Sequence, residues 1–168
     1  MSNTANPLIP RDGKLTVTDG STLTLLLLYE DGDFQVSNLT EAQMSIIAFK
    51  ARGKTYSVRK VEDQNIDFSF TCHAIHIIGD GTTATIGDIV LKLGAWAAAT
   101  SKLPTANGDA HLVQVAWTGE RTAFGATNDS GIAMKYCSLT MDFSEGVPGK
   151  ISVKGTLFPI STDYLVIT

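Results

Sequence analysis

The clearest pattern in the chain is the strict alternation of apolar and polar residues between Asn65 and Ala74. Successive side chains of a β-strand point to opposite faces of the sheet, so this period of two predicts a long strand. Its apolar face requires burial by the rest of the chain, whereas its polar face needs water, a second subunit, or both. The polar face would carry Asp67, Ser69, Thr71 and His73.

Residues 25–28 are four consecutive leucines, which is typical of a strand that is covered on both faces, either in the centre of a sandwich or by a partner. The pair Asp31-Gly32 follows this run. Asp-Gly between two hydrophobic stretches is a strong signal for a tight turn, because such a turn needs positive φ angles. The sequence therefore predicts a hairpin in which residues 34–38 fold back on residues 23–29.

Residues 41–59 fit two interpretations, because their apolar positions match either one helix or two strands joined by a turn at Gly53. The β-branched and aromatic content favours two strands, and hence a second hairpin. This segment carries a basic run that is followed at once by two acidic residues: Lys50, Arg52, Lys54, Arg59, Lys60, Glu62 and Asp63. Such a run fits either a solvated surface or one half of a charge-complementary contact between subunits.

A helix is predicted over residues 85–99. Thr85 is placed to cap its N-terminus and Asp88 lies at the third helical position, a pair that can satisfy free backbone N–H groups. Apolar residues then follow along one face at intervals of three and four. Gly94 would lie inside this helix, where glycine costs about 1 kcal/mol relative to alanine, so we expect a close packing contact there.

Residues 132–143 show a change of phase, because apolar side chains occupy the even positions up to 136 and the odd positions from 137 onwards. This shift predicts a β-bulge, or a strand that leaves one apolar environment for another. A last long strand is predicted at residues 151–157, where apolar and polar residues alternate again.

The chain has 168 residues, 43% of them hydrophobic and 18% charged, which is typical of one ordered domain with a substantial core. We expect a loose N-terminal arm at residues 1–12 and a domain at residues 13–168. The formal net charge of -4 argues against a surface that clamps nucleic-acid phosphates. Neither a secretory signal nor a membrane span is expected, because the opening residues are polar and the apolar runs are short.

Candidate catalytic and metal-binding residues are few. His73 and His76 are three residues apart, so on a strand they point to opposite faces and do not share a metal ion. Cys72 and Cys137 lie in strand-like patterns, which favours buried thiols, with a disulfide between them as the alternative. Signatures of nucleophilic catalysis and of nucleotide-binding loops are missing from the sequence. We therefore expect no enzyme activity, no metal and no cofactor.

A series of short segments follows in order along nearly the whole chain. It comprises Arg11-Asp12-Gly13-Lys14, Tyr29-Glu30-Asp31-Gly32-Asp33-Phe34, Arg52-Gly53-Lys54 through Val58-Arg59-Lys60, Phe68-Ser69-Phe70-Thr71, the predicted helix, Trp117-Thr118-Gly119 and Phe143-Ser144-Glu145-Gly146. With this series the sequence resembles the tail tube proteins of long-tailed bacteriophages, of the class with non-contractile tails.

The resemblance implies an all-β domain of β-sandwich or barrel-like architecture with one short helix. Hexameric rings would close four strands of each subunit into one continuous inner β-barrel. Stacked rings would form a tube that conducts double-stranded DNA and whose length is set together with a tape-measure protein. Such a protein would be assembled in the host cytoplasm and would be found in the virion tail, with no membrane as a partner.

The resemblance also assigns two sets of candidate residues. The first is expected to line the channel, with solvent or another protein layer as the alternative: Asp67, Ser69, Thr71 and His73. The second is expected to make contacts between stacked rings: Lys50, Arg52, Lys54, Glu62 and Asp63. Residues 1–10 and 119–131 are further candidates for those contacts.

Two other functions remain open at this point. The tube protein of type VI secretion has a similar fold and would also be a structural subunit. A carbohydrate-binding β-sandwich would instead need several exposed aromatic residues on one flat face, because sugar rings stack on them. The aromatic candidates are scattered over separate predicted elements: Tyr29, Tyr56, Trp96, Trp117 and Tyr136.

Overall fold

A computed structural model of the chain describes residues 13–19, 23–27, 33–37, 45–62, 65–73, 77–79, 84–97, 111–119, 131–146, 149–160 and 162–167. The expected N-terminal arm and most of the 119–131 segment lie outside these residues. The strands are β1 Gly13–Thr18, β2 Thr24–Leu27, β3 Gln35–Val36, β4 Ser45–Ala51, β5 Lys54–Glu62, β6 Ile66–His73, β7 Val113–Gly119, β8 Gly131–Ser144, β9 Lys150–Leu157 and β10 Leu165–Ile167. The helices are α1 Ile86–Leu91 and a 3-10 turn at Gly94–Trp96.

Eight strands form one sheet, and the other two form a separate hairpin. The large sheet has the order β2-β1-β7-β8-β9-β6-β3, with β10 paired to β8 off this path, whereas β4 and β5 pair with each other. Neighbouring strands are antiparallel throughout. The predicted all-β class with one short helix is confirmed.

The alternation predicted for β6 is confirmed. Its apolar residues are at most 3% exposed, whereas the residues between them are half-buried or exposed. Phe34 packs its ring against Phe68 and Phe70, with 6.4 Å between ring centroids in each pair. Ile89 of α1 and Trp96 complete the same core, at 0% and 2% exposure. One face of the sheet is therefore buried by α1, the 3-10 turn and Phe34.

The helix is shorter than the sequence predicts, because it ends at Leu91 instead of residue 99. Lys92 closes it in the left-handed conformation with a φ of 54°, and Gly94 also has a φ of 54°. A continuing α-helix requires negative φ at both positions, so the chain turns into a 3-10 segment. The close contact expected at Gly94 is wrong, since a Cβ built there meets no atom within 4 Å.

Asp88 fastens the start of α1 to the preceding loop. Its Oδ2 accepts hydrogen bonds from the backbone N–H of Thr85 at 2.8 Å and of Gly79 at 3.0 Å. Thr85 Oγ1 donates to the carbonyl of Ile77 at 2.8 Å. A Cβ at Gly87 would lie 1.9 Å from that same carbonyl oxygen. The predicted start of the helix is thus confirmed, and glycine in its first turn permits the close approach.

The first predicted hairpin is wrong, because its described residues, 23–27 and 34–37, do not pair with each other. β2 pairs with β1, whereas β3 lies at the far edge of the sheet beside β6. The connection between β1 and β2 is short, so their pairing closes a small loop, and Phe34 gains its contacts on β6. Among the described residues β2 is therefore an edge strand and not a central one, and Leu26 on it is 53% exposed within a single chain.

The bulge predicted in the 132–143 strand is confirmed. Val113 and Val115 of β7 pair with Cys137 and Met134, so two steps on β7 face three steps on β8. Tyr136 within this bulge has a φ of 56°. Before the bulge β8 pairs with β7 and β10, and after it β8 pairs with β9. Among the described residues, the edge of β8 opposite β9 has no partner strand beyond the bulge.

Candidate functional site

Beyond the bulge, β8, β9 and β6 share one sheet face on which every residue is polar. The register places these residues in four rows, each crossing all three strands. We call them the polar grid: Ser138, Thr156 and Asp67; Thr140, Lys154 and Ser69; Asp142, Ser152 and Thr71; Ser144, Lys150 and His73. The opposite face of the same strands packs into the core except at Phe143, near the end of β8, which is 52% exposed. The sheet is therefore amphipathic across three strands.

All four residues expected to line a channel belong to the polar grid. Each of them is half-buried or exposed, as are their neighbours on β8 and β9. A shallow groove of about 420 Å³ runs over the first two rows and continues to Ser37 beside β3. The structure places the four residues together on an open surface.

Charges on the polar grid balance. Two carboxylates, Asp67 and Asp142, stand among two ammonium groups, Lys150 and Lys154. Lys154 Nζ lies 3.4 Å from Asp142 Oδ2 on the adjacent strand. Thr156 Oγ1 donates a hydrogen bond to Asp67 Oδ1 at 2.9 Å. The acidic surface that the net charge of the chain would suggest is not found on this face.

The sequence analysis assigned the four grid residues on β6 to one functional surface and missed the eight on β8 and β9. The strand pattern at 151–157 signalled that Ser152, Lys154 and Thr156 share a polar face, and the same pattern holds for Ser138, Thr140 and Asp142. The missing information was which strands are neighbours. Only the pairing of β9 with both β6 and β8 joins the polar faces of the three strands into one surface.

The second predicted hairpin is confirmed as β4 and β5, which we call the separate hairpin. Its turn consists of Arg52 and Gly53, with φ angles of 49° and 80°. Positive φ at both central residues defines the primed turn that matches the twist of antiparallel strands. With seven residues in β4, the hairpin extends roughly 20 Å from its turn. Among the described residues, β4 and β5 pair with each other and with no other strand.

The residues expected to make contacts between rings do not form one cluster. Lys50, Arg52 and Lys54 lie together around the turn and are exposed. Glu62 lies at the opposite end of the hairpin, where its backbone pairs with Ser45. The side chain of Glu62 and all of Asp63 lie outside the described residues. The positive charges at the turn are thus separated from Glu62 by the length of the hairpin.

Exposed apolar side chains on the separate hairpin were missed by the sequence analysis. Phe49, Val58 and Tyr56 are 45%, 58% and 78% exposed. Phe49 pairs with Ser57 whereas Val58 pairs with Ala48, so Phe49 and Val58 lie on opposite faces of the hairpin. The guanidinium carbon of Arg59 lies 5.9 Å from the Phe49 ring centroid. Apolar surface on both faces of an isolated hairpin is typical of an interaction element.

Two buried thiols are the remaining candidate chemistry. Cys72 and Cys137 are free cysteines at 2% and 0% exposure, and burial raises the pKa of each thiol to about 12. Among the described residues, no three His, Cys, Asp or Glu side chains are placed to hold a metal ion. His76 lies outside those residues. Likewise, no helix in the described part of the chain is long and apolar enough to cross a membrane.

Two solved chains with a similar fold come from an extracellular contractile injection system. One chain belongs to an extracellular contractile injection system, PVC sheath/tube terminator in extended state, with a TM-score of 0.60, 8% identity and coverage of 98% of this chain and 99% of that chain. Another belongs to the PVC sheath-tube complex in extended state, with a TM-score of 0.57, 9% identity and coverage of 100% and 98%. No protein-family model and no curated protein matches the sequence. The chain therefore has a tail-like fold over its full length.

Proposed function

We propose that this chain is a structural, non-enzymatic subunit of a phage-tail-like tube, and that its copies close into rings. The observation that carries the proposal is the full-length likeness to a chain of a sheath/tube terminator assembly, at a TM-score of 0.60. A sheet with one buried and one wholly polar face supports it, because such a sheet can form the wall of a water-filled passage.

Strand directions support the closure of a barrel from several copies. β6 and β8 run in one direction, and β3 and β9 run in the other. The order β8-β9-β6-β3 thus ends in strands of opposite direction at its two edges. A copy placed beside another by rotation brings β3 of one next to β8 of the other in antiparallel orientation. Four strands per subunit then close a barrel that is antiparallel throughout, and no edge is left open.

The proposal includes the ring size, orientation and cargo that the resemblance to tail tube proteins implies. We infer hexameric rings with the polar grid towards the channel, stacked by the separate hairpin and assembled in the host cytoplasm into a virion tail. Double-stranded DNA passes through the channel, and a tape-measure protein sets the length of the tube. The resembled family has non-contractile tails, whereas both structural neighbours come from contractile systems. Co-purification with a sheath protein would assign the chain to the contractile class.

A carbohydrate-binding function is disfavoured by the positions of the aromatic residues. Trp96 and Tyr136 are 2% and 5% exposed, so neither offers a ring face to a sugar. Tyr56 is exposed on the separate hairpin, which carries neither tryptophan and whose other exposed ring is Phe49. Tyr29 lies outside the described residues. No flat group of exposed rings is formed by the described residues.

Electron microscopy of the purified full-length chain tests the proposal. We expect rings or stacked tubes in negative stain, and a broad, concentration-dependent distribution of large species in analytical ultracentrifugation. A single species with the mass of one chain at high concentration, with no rings on the grid, would contradict it.

A further inference from the structure

His111 places both of its ring nitrogens in the interior without a polar partner. The residue lies two positions before β7, and neither Nδ1 nor Nε2 makes a hydrogen bond among the described residues, although both atoms are buried. A neutral imidazole has one N–H donor and one acceptor nitrogen, so both groups are left unsatisfied. Protonation would add a buried charge without a partner, which costs far more than a buried neutral group. The folded chain therefore favours neutral His111.

The ring of His111 stands against the 3-10 turn Gly94–Trp96 that follows α1. The rings of His111 and Trp96 are nearly perpendicular, at 85°, with 6.5 Å between their centroids. Trp96 is the buried residue of that turn, at 2% exposure, whereas its neighbours Ala95 and Ala97 are exposed. The side chain of Trp96 therefore anchors the turn to the core.

Backbone hydrogen bonds tie the turn only to nearby residues. The N–H of Trp96 donates to the carbonyl of Leu93 at 3.0 Å, and the N–H of Ala97 donates to that of Gly94 at 3.2 Å. No strand among the described residues pairs with the turn. An element without long-range backbone pairing can open while the sheet stays folded. Release of the Trp96 side chain is thus enough to free the turn.

Two charged groups of the described residues act on His111, Lys92 at the end of α1 and Asp19 after β1. Lys92 repels an imidazolium and Asp19 attracts one. Asp19 Oδ1 accepts the backbone N–H of Leu23 at 3.1 Å, and no hydrogen bond joins Asp19 to His111. Burial has the largest effect and, with Lys92, it lowers the pKa of His111 from its ordinary value of 6.5.

We propose that His111 is a pH-dependent switch for the 3-10 turn, and that its protonation releases Trp96 from the core while the sheet stays folded. In the released state the imidazolium is exposed to water and its contact with Trp96 is lost. The released state therefore binds the proton more readily than the closed state does. The turn is closed above pH 6.5 and opens progressively as the pH falls below that value. This inference is independent of the tube function.

Tryptophan fluorescence of the full-length chain tests this inference. The chain has two tryptophans, so Trp117→Phe leaves Trp96 as the reporter. On acidification its emission is expected to shift to longer wavelengths and its quenching by iodide to increase, with a midpoint below pH 6.5 and unchanged far-UV circular dichroism. The complementary variant Trp96→Phe, which reports on β7 through Trp117, is expected to show no such shift.

Two further variants separate the charge of His111 from its packing. His111→Gln in the Trp117→Phe background is expected to abolish the shift, because glutamine does not titrate. Lys92→Gln is expected to move the midpoint to lower pH, since it removes a repulsion that acts in the closed state. Lys92 is exposed, so the fold tolerates this change.

Hydrogen–deuterium exchange of the unmodified chain provides the same test without a tryptophan variant. Residues 93–97 are expected to exchange faster at the lower pH, after correction for the intrinsic rate, while β6 and β9 stay protected. The inference would be overturned by an equal fluorescence shift in His111→Gln, by constant emission and exchange across the pH range, or by equal loss of protection in β6 and β9.

Discussion

The ring of Phe68 lies directly against Gly155 on the neighbouring strand, so closely that a Cβ built on Gly155 would lie 2.1 Å from Phe68 Cζ. The two residues are cross-strand partners in the centre of the amphipathic sheet. Phe68 in turn stacks on Phe70, with 6.5 Å between centroids and 7° between ring planes. Glycine at 155 therefore provides the space that the aromatic cluster occupies.

Gly155→Ala is expected to destabilise the chain by about 1–3 kcal/mol, because the added methyl group forces the Phe68 ring out of its place. Urea unfolding followed by circular dichroism measures the change. Phe68→Leu in the same background is expected to recover part of the loss, since the smaller side chain vacates the contested space. Equal stability of wild type and Gly155→Ala would show that the ring is not confined as described.

Phe143→Lys is expected to prevent ring formation while changing the stability of the isolated chain by less than about 1 kcal/mol. Phe143 is 52% exposed and lies on β8 beyond the bulge, beside the edge that we assign to a second copy. A charge there would be buried in the contact at high cost. Sedimentation and negative stain measure assembly.

Leu91→Lys is the matched control for that variant. Leu91 is 50% exposed, but it lies at the end of α1 and not on a sheet edge. Assembly of Leu91→Lys is expected to be normal. Loss of assembly in both variants would point to a general effect of surface charge and not to the β8 edge.

Reversing the charges at Lys50, Arg52 and Lys54 is expected to impair the stacking of rings and to leave the circular dichroism of the fold intact. Residues 48–60 contain five basic residues and no acidic ones; removing these five from the 13 of the whole chain leaves eight against 17 acidic residues. Residues 48–60 and the remainder of the chain are therefore opposite in net charge.

Neutral glutamines at the same three positions separate lost attraction from new repulsion. We expect this neutral variant to stack weakly at low salt, and stacking of the wild type to weaken as salt is raised. Tubes of normal length from the charge-reversed variant would exclude the turn from the contact.

His111 is expected to make the stability of the chain depend on pH. Both ring nitrogens are buried without a hydrogen-bond partner among the described residues, and the ring stands edge-on to Trp96 at 6.5 Å. Burial lowers the pKa of His111 from its ordinary value of 6.5, Lys92 lowers it further, and Asp19 acts in the opposite direction. The neutral form is therefore favoured by folding.

Because the unfolded chain binds the proton more readily, the free energy of unfolding is highest above pH 6.5 and falls as the pH drops towards the lower pKa of the folded state. Urea unfolding at a series of pH values measures this slope. His111→Gln is expected to flatten it in that window. A slope that is unchanged in His111→Gln would contradict the assignment.

Local pattern alone determined much of this protein. The alternation in β6, the phase change in β8 and the glycine turn of the separate hairpin were all predicted correctly, because side-chain period and positive φ are properties of a few adjacent residues. The start of α1 was also predicted from Thr85 and Asp88, since capping involves neighbours in sequence.

The tertiary structure decided which of these elements meet. Strand pairing depends on contacts between distant residues, so the sequence placed β3 beside β2, whereas packing of Phe34 on β6 takes it to the other side of the sheet. The polar grid likewise exists only because β9 lies between β6 and β8 and aligns the polar faces of the three strands. The sequence determined that each strand has a polar face, and long-range packing determined that three such faces form one surface.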